Sequence, residues 1–438
     1  MNHLTEKGRL RLRLRLHPIA LAAAAFALAS HCAHAQHSST ALPAVTVTAT
    51  LTEQDARTAP ASVTVIDREE LAARNASDLL DAVRGAPGLT LSPRQVGGRK
   101  TLALRGLEGK HTLTLIDGRR ISPSDDVVGH SDYQYGWLPM SAVERIEIIR
   151  GPMSALYGSE ALGGVINLIT RQPKDKWMGS VGVSGSVPTS SDEGESTGST
   201  SVFAAGPLGE RLSLRVNAEL AHQSPVSNRH QPLLSEIEGS HAKNGGLSAR
   251  FALTPQQTLE AGWSGGQEQR VYDTDSRGKV FRSTYDIDRS QAHIGWQGKF
   301  DGWNSQVRAY RSEIDIVNRA SNGAAPTRPQ NMVDDVLDGH ASFALGAHKI
   351  TLGGEWRKET LENAGLKNGA DDAAHKALFA QDEIALSDTL MLTAGLRADH
   401  HAIFGSEVSP RAYLVWEASP ALVVKGGFGH AFKAPTLK

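Results

Sequence analysis

From Trp177 onward the chain alternates between apolar and polar residues in short segments. In Arg211 to Leu220 every second residue is apolar, from Leu212 to Leu220, and the residues between them are polar. The same alternation recurs in His348 to Arg357 and in Thr389 to Asp399. A period of two predicts β-strands that have one apolar and one polar face. Soluble sandwiches also alternate, so the period alone does not assign the fold.

The connections between these strands have two different lengths. Short turn signals alternate with long polar segments, the turns lying at 206–209, 254–255, 301–302, 345–346, 387–388 and 419–420 and the long segments at 187–198, 224–245, 269–289, 317–334 and 361–375. Short turns at one rim and long loops at the other favour an outer-membrane β-barrel over a soluble all-β domain. We count about 13 strands, whereas a single-chain bacterial barrel normally has an even number. A barrel wide enough to enclose another domain needs about 22, so we expect an antiparallel transmembrane β-barrel that is incomplete at its C-terminal side.

The region from Ala44 to Lys176 has a different pattern, typical of a small mixed α/β domain. A strand at Ser62 to Ile66 is followed by Asp67 and Glu70, the spacing of a helix capping box. The pattern further predicts a second helix at 77–83, strands at 101–104, 112–116, 145–149 and 165–170, and a turn at 117–118. We therefore expect a compact domain to precede the strands.

The N-terminus has the composition of a secretory signal. Basic residues between Lys7 and Arg15 precede an apolar segment from Ile19 to Ala29, and 33–35 reads Ala-His-Ala, a small-x-small cleavage pattern. A cytoplasmic helix with a basic face and a lipoprotein anchor at Cys32 are the alternatives. Cys32 is the only cysteine of the sequence. Cleavage after residue 35 would leave a chain without disulfides or cysteine metal ligands.

Charge and hydropathy exclude two further classes of protein. The chain has 46 Lys and Arg residues against 47 Asp and Glu, a formal net charge of -1, whereas a nucleic-acid-binding protein is typically basic. Mean hydropathy is -0.29, and no apolar run reaches the roughly 18 residues that a membrane-spanning helix needs. A bundle of membrane helices is therefore excluded.

The segment Glu144 to Thr170 resembles the plug signature of TonB-dependent outer-membrane transporters, and within that family it is most similar to the colicin I receptor group of catecholate-type siderophore receptors. Shorter matches lie at 104–107, 115–119, 353–357, 409–413, 424–427 and 431–435. The resemblance implies a signal peptide at 1–35, a periplasmic segment at 36–50, a plug domain at 51–176 and the N-terminal part of a receptor barrel at 177–438. It also implies a bacterial outer-membrane protein that is not an enzyme and has no catalytic residues.

A short β-prone segment precedes the predicted plug. Val45, Thr46, Val47, Thr48 and Ala49 resemble the TonB box, which implies TonB, with ExbB and ExbD, as a partner. An extended segment of this kind can add as a strand to another protein's sheet. Its position between signal and plug supports this assignment.

The resemblance also implies where a ligand would bind. The apical plug loops carry cationic and aromatic side chains that suit an anionic aromatic iron chelate: Arg94, Arg99, Lys100, His130, Tyr133, Tyr135 and Trp137. Arg105 and Arg150 lie at predicted strand ends, where the family places plug arginines against barrel glutamates. The alternative for these two is a pair of solvated arginines.

We therefore expect an importer of a ferric siderophore, of catecholate type, with outer-membrane lipid around it and with bacteriocins or phage as further partners. We expect no resident cofactor and no metal site. Haem import, with His111 or His130 as an axial ligand, or cobalamin import is the alternative within transport, and a non-transporting surface receptor is the alternative from another class. The pattern G-x-S-x-G at 262–266 lacks the strand-turn-helix context of a hydrolase, and 273–278 departs from a calcium loop.

Overall fold

The computed structural model describes residues 46–47, 51, 54–94, 96–121, 132–189, 195–324 and 329–437. The predicted signal peptide, Cys32, Val45, Thr48, Ala49 and His130 lie outside them. No helix within the described ranges is long and apolar enough to cross a membrane.

Between Met178 and Gly429 the chain forms one large antiparallel sheet. Thirteen strands of the described residues pair in chain order, which confirms the expected count. They are β11 (Met178–Ser186), β12 (Thr197–Pro207), β13 (Leu212–Gln223), β16 (Gly239–Thr254), β17 (Gln257–Ser276), β18 (Lys279–Phe300), β19 (Trp303–Ala320), β20 (Gln330–Leu345), β21 (His348–Asn363), β22 (Ala370–Ser387), β23 (Leu390–His401), β24 (Gly405–Ser419) and β25 (Leu422–Gly429). A small hairpin of β14 (Val226–Ser227) and β15 (Ser235–Ile237) lies between β13 and β16.

Burial in this sheet is the reverse of that in a soluble protein. On β23, Leu396 is 50% exposed while its neighbour Arg397 is 1% exposed, and on β13 Val216 is 43% exposed while Arg215 is 7% exposed. The apolar residues of the period-two pattern therefore face outward and the polar residues face the plug. This is the arrangement expected of a barrel wall in contact with lipid.

The N-terminal region is the mixed α/β domain that the sequence predicts. Its central sheet has the order β3-β9-β10-β7-β8, and β7 and β10 are its parallel pair. The strands are β1 (Thr46–Val47), β2 (Gln54–Asp55), β3 (Ser62–Asp67), β4 (Leu89–Pro93), β5 (Lys100–Leu104), β6 (Leu107–Glu108), β7 (Thr112–Ile116), β8 (Arg119–Arg120), β9 (Val143–Arg150) and β10 (Gly164–Thr170), and the helices are α1 (Arg68–Arg74), α2 (Leu79–Val83) and α3 (Ser154–Tyr157). Short 3-10 turns lie at Gly109–His111, Tyr133–Gly136 and Met140–Ala142.

The helix starts follow from local chemistry. Asp67 is the N-cap of α1, and its carboxylate accepts a hydrogen bond from the backbone N–H of Glu70 at 2.9 Å, as the capping-box spacing predicts. Asp78 caps α2 in the same way through the backbone N–H of Asp81. The second helix therefore begins at Leu79, two residues later than the sequence indicates.

One expected loop is wrong. We expect a long polar loop at 269–289, but β17 and β18 continue as a paired hairpin through a tight turn at Arg277 and Gly278. In this upper part of the hairpin both faces carry polar residues. The apolar period disappears there although the backbone hydrogen bonds continue, and sequence periodicity cannot detect a strand without an apolar face.

The hydrophobic core lies between the plug and the inner face of the sheet. Plug residues such as Ile148 and Trp137 share a buried cluster with Phe203, Ile287 and Ile314 of the sheet. A second cluster joins Leu113, Leu115 and Val47 to Phe379 of β22. Because sheet residues from β12 to β22 contact the same small domain, the sheet wraps around the plug.

Candidate functional site

A buried charge cluster joins the plug to the sheet at the rim of the long loops. The guanidinium of Arg99 donates two hydrogen bonds to Glu238, Nε to Oε1 at 2.9 Å and Nη2 to Oε2 at 3.0 Å. Arg270 of β17 binds the same carboxylate at 2.9 Å and also pairs with Asp132 and Glu268. Glu238 is therefore shared by a plug cation and a barrel cation.

Tyr133 lies between these two cations. The guanidinium carbons of Arg99 and Arg270 are each 4.9 Å from the centre of its ring, and Arg99 is also 4.7 Å from the ring of Tyr285. The Tyr133 side chain is completely buried, and burial raises the pKa of its hydroxyl well above the usual value. For Arg99, burial acts to lower the pKa, but the hydrogen bond to Glu238 and the charge interactions with Tyr133 and Glu238 together outweigh it, and the pKa is raised. We name Arg99, Tyr133, Glu238 and Arg270 the apical cluster.

Local backbone geometry places Arg99 in this cluster. The β4–β5 connection passes through Gly97 and Gly98, which both have positive φ. The carbonyl of Gly97 accepts a hydrogen bond from the backbone N–H of Glu238 at 3.0 Å. A Cβ at position 97 would lie 2.8 Å from Oε2 of Glu238, so glycine is required for this close approach.

The predicted ligand residues lie deeper than we expect from the sequence. Arg99, Tyr133, Tyr135 and Trp137 are all less than a tenth exposed, because the apical plug loops pack beneath the sheet wall and the 224–239 segment. They are not open surface residues in this state. Arg94 is partly buried with its guanidinium 3.7 Å from Glu108.

Lys100 is the remaining described member of the predicted set, and it is exposed. Its backbone N–H donates to Asp132 at 3.3 Å. His130 lies outside the described residues. The structure thus brings Arg99, Lys100 and Tyr133 to one region, and their role as ligand contacts stays a prediction.

The second predicted set, Arg105 and Arg150, lies near the central sheet of the plug. Arg150 donates to the carbonyl of Pro87 and to the hydroxyl of Thr64, both at 2.6 Å. Burial and the neighbouring Arg105 lower the pKa of Arg150. Arg105 is exposed, with φ of 52°. Within the described residues Arg105 and Arg150 contact plug atoms. Their pairing with barrel glutamates stays a prediction.

Two other arginines, Arg397 and Arg120, make contacts between the plug and the sheet. Arg397 of β23 donates to the backbone carbonyl of Leu156 in the plug at 3.1 Å and pairs with Glu355 at 3.3 Å and Asp399 at 2.9 Å. The plug residue Arg120 approaches the same Glu355 at 3.9 Å. Arg397 and Leu156, and Arg120 and Glu355, are far apart in the sequence, so no local pattern indicates these contacts.

The segment with the predicted TonB box is held at the short-turn rim. Thr46 and Val47 of β1 pair with Asp55 and Gln54 of β2, and the Val47 side chain is completely buried. The side-chain amide of Gln54 donates to Glu383 of β22. In this state the Val47 side chain is covered by plug residues and by Phe379 of the sheet.

Two basic side chains fix the chain that follows this segment. Arg57 pairs with Glu417 at 2.8 Å and donates to the carbonyl of Pro420 at 2.6 Å, in the turn between β24 and β25. The ammonium group of Lys425 lies within hydrogen-bonding distance of three plug carbonyls, those of Ala56, Ala59 and Ala61, at 3.2, 2.8 and 3.4 Å. The start of the plug is therefore tied to the last two strands of the sheet.

Comparison with known proteins agrees with this architecture. Residues 55–165 match the TonB-dependent receptor plug domain, and residues 238–438 match the TonB-dependent receptor-like β-barrel. The chain is 33% identical to an iron-regulated outer membrane virulence protein of Vibrio cholerae over 93% of this chain and 62% of that protein. It is 28% identical to the ferrienterobactin receptor of Escherichia coli over 90% of this chain and 62% of the receptor.

A solved structure has the same fold. A variant of the ferric enterobactin receptor of Pseudomonas aeruginosa, in complex with enterobactin, superimposes with a TM-score of 0.77 at 26% identity, over 86% of this chain and 63% of that one. The chain thus spans about three fifths of the length of the relatives it matches. Plug, barrel sheet and sequence together show that the chain belongs to the TonB-dependent receptors of the outer membrane.

Proposed function

We propose that the protein is an outer-membrane, TonB-dependent importer of a ferric siderophore of the catecholate type, without enzymatic activity. The observation that carries the proposal is the burial of Val47 in a two-residue strand at the short-turn rim, beneath a plug that the sheet encloses. A buried segment of this kind suits a receptor whose TonB box becomes accessible to TonB only after a conformational change. The names of the relatives support iron chelates as the cargo.

The apical cluster supplies chemistry that suits such a cargo. Arg99 and Arg270 provide cationic N–H donors, and Tyr133 and Tyr285 provide aromatic faces. A catecholate complex is anionic, aromatic and rich in oxygen, so it competes with Glu238 for these donors. A ligand that binds in or above the cluster would lower the population of the state in which Glu238 bridges the plug and the barrel. A ligand shifts such an equilibrium when it binds one of the two states more tightly.

The test is uptake of iron-55-labelled ferric enterobactin by cells that express the gene product, in tonB-positive and tonB-deficient strains. We expect saturable binding in both strains and uptake in the tonB-positive strain alone. Uptake that does not depend on TonB contradicts the coupling. Haemin and cyanocobalamin are tested in parallel, and preferential uptake of either contradicts the siderophore assignment, while binding without uptake in both strains favours a surface receptor.

A pair of variants at one residue tests the role of the box segment. Val47→Pro removes a backbone N–H and prevents strand pairing, whereas Val47→Ala removes side-chain packing and keeps the backbone. We expect uptake to be lost in Val47→Pro and largely retained in Val47→Ala, with surface binding unchanged in both. Intact uptake in Val47→Pro would show that this segment does not couple to TonB.

A further inference from the structure

The apical cluster belongs to a larger network of ion pairs in which the charges cancel. Arg289 of β18 pairs with Glu268 at 2.6 Å, and Glu268 also pairs with Arg270 at 2.6 Å. Arg270 pairs in addition with Asp132 at 2.5 Å. Three guanidinium groups and three carboxylates are joined in this way, those of Arg99, Arg270, Arg289, Asp132, Glu238 and Glu268. Because none of these side chains is more than 13% exposed, solvent does little to compensate a missing charge.

The three carboxylates differ in how the backbone holds them. Glu268 lies within β17, paired with Ala242 of β16 and Ile287 of β18, and both of its arginines lie on these barrel strands. Glu238 and Asp132 lie outside the strands, Glu238 directly before β16 and Asp132 directly before the 3-10 turn at Tyr133–Gly136. A ligand can therefore replace Glu238 and Asp132 on their arginines without a change in the sheet, whereas Glu268 stays in place.

A buried hydroxyl without a partner lies inside this network. The hydroxyl of Tyr133 has no hydrogen-bond partner among the residues that the structure describes, although the Tyr133 side chain is completely buried. A buried polar group of this kind is unfavourable unless something binds to it. The Tyr133 ring lies 5.9 Å from that of Tyr285, which stacks on Tyr272 at 6.3 Å. An aromatic ligand with several oxygens therefore finds both a hydroxyl and aromatic faces here.

The balance of charge determines which ligands can replace the two carboxylates. Without Glu238 and Asp132, three guanidinium groups face the single carboxylate of Glu268, which leaves an excess of two buried positive charges. Uncompensated buried charge is strongly unfavourable, so a neutral ligand is rejected even if it offers hydrogen-bond acceptors. A ligand with two or more negative charges restores the balance. A catecholate unit presents two neighbouring anionic oxygens, as the carboxylate of Glu238 does to Arg99.

We propose that Glu238 and Asp132 are specificity-determining residues that select the ligand by its charge. In the ligand-free state their carboxylates occupy the positions of the ligand's anionic oxygens, so the site accepts ferric chelates with two or more negative charges and excludes neutral ones; this rests on the proposed function. The unpaired charge that a neutral ligand would leave acts against the wrong ligand. Both carboxylates therefore compete with the chelate, and removal of either charge strengthens its binding.

Variants that remove charge and keep the size of the side chain test the proposal in the full chain. Glu238→Gln and Asp132→Asn change the two carboxylates, and Glu236→Gln makes the same change at an exposed residue of the same segment. Equilibrium binding of iron-55-labelled chelates is measured on cells of a tonB-deficient strain. The chelates are ferric enterobactin, which is anionic, and ferrichrome, which is neutral. The heat-modifiable form in outer membranes reports whether each variant is folded.

We expect the Kd for ferric enterobactin to fall about tenfold in Glu238→Gln, because no carboxylate then competes for Arg99 and Arg270. Asp132→Asn should also bind more tightly, and it decides the question if Glu238→Gln does not fold. Glu236→Gln should match the unsubstituted protein, which should not bind ferrichrome.

A residue that only supports the site would give the opposite result, since its loss weakens binding. Unchanged or weaker binding of ferric enterobactin by the folded variants overturns the role of the two carboxylates and leaves the proposed function intact. Binding of ferrichrome by the unsubstituted protein as tight as that of ferric enterobactin does the same. If the unsubstituted protein binds no ferric enterobactin, the proposed function is overturned as well.

Discussion

Arg99 of the plug and Glu238, which directly precedes β16, form a bidentate ion pair in which neither side chain is more than 5% exposed. The same carboxylate also binds Arg270, so it neutralises cations from both parts of the molecule. Removal of one partner of a buried pair leaves an uncompensated charge, which costs about 3–5 kcal/mol.

We therefore predict that Glu238→Ala lowers the free energy of unfolding of the plug by about 3 kcal/mol. The measurement is the thermal unfolding of the plug in purified protein, followed by calorimetry. Glu236→Ala is the matched control, because Glu236 is exposed and only two residues away. Equal midpoints for the two variants would show that the ion pair does not hold the plug.

The contact between Gly158 and Arg397 gives a second prediction. Gly158 has φ of 72° and ψ of -147°, a region that is essentially restricted to glycine and costs other residues about 1–3 kcal/mol. A Cβ there would also lie 2.8 Å from Nη2 of Arg397. Gly158→Ala should therefore lower stability and displace Arg397 from Leu156. The control is Gly85→Ala, because Gly85 also has a positive φ but has open space around it. An equally large loss of stability in Gly85→Ala would show that the contact with Arg397 does not cause the effect.

The outward-facing leucines of the sheet predict a lipid environment. Leu378, near the middle of β22, is 74% exposed, and Leu233, in the long segment between β14 and β15, is 75% exposed. A cation on the lipid face of a barrel costs about 2–4 kcal/mol near the bilayer centre. Leu378→Lys should reduce the heat-modifiable folded form in outer membranes, and Leu233→Lys should not. In a soluble sandwich the two variants would behave alike.

The contacts of Lys425 are expected to protect the start of the plug from proteases. Its ammonium group lies close to three plug carbonyls, and hydrogen bonds to charged groups contribute about 1.5–3 kcal/mol each. Lys425→Met should therefore accelerate trypsin cleavage after Arg57. Lys376→Met, which changes an exposed lysine of β22, is the control. An unchanged cleavage rate in Lys425→Met would mean that other contacts are enough to hold the start of the plug in place.

The sequence predicts those parts of the fold that depend on local chemistry. The alternation of Arg211 to Leu220 identifies a strand and its outward face, and the spacing of Asp67 and Glu70 locates the first helix. The hairpin through Arg277 and Gly278 is missed because both of its faces are polar, so that the pattern has no period.

The candidate site is predicted only in part, because it depends on contacts between distant residues. The composition of the apical loops indicates Arg99 and Tyr133, but the partner Glu238 is 139 residues away from Arg99, in a segment that we expect to be a polar loop. Arg397 reaches the plug carbonyl of Leu156 across 241 residues. Such pairs have no sequence period, and a lumen-facing arginine has the same local pattern whether or not it contacts the plug.

The pairing of β1 with β2 determines how the N-terminal segment yields to force. Thr46 pairs with Asp55 at the open end of this hairpin, and Val47 pairs with Gln54 one step further in. Tension applied ahead of Thr46, with the chain anchored after Asp55 by Arg57 and Lys425, loads the pairs one after another rather than all together. The segment is thus built to unzip under a small force, whereas strands pulled along their length would resist in shear.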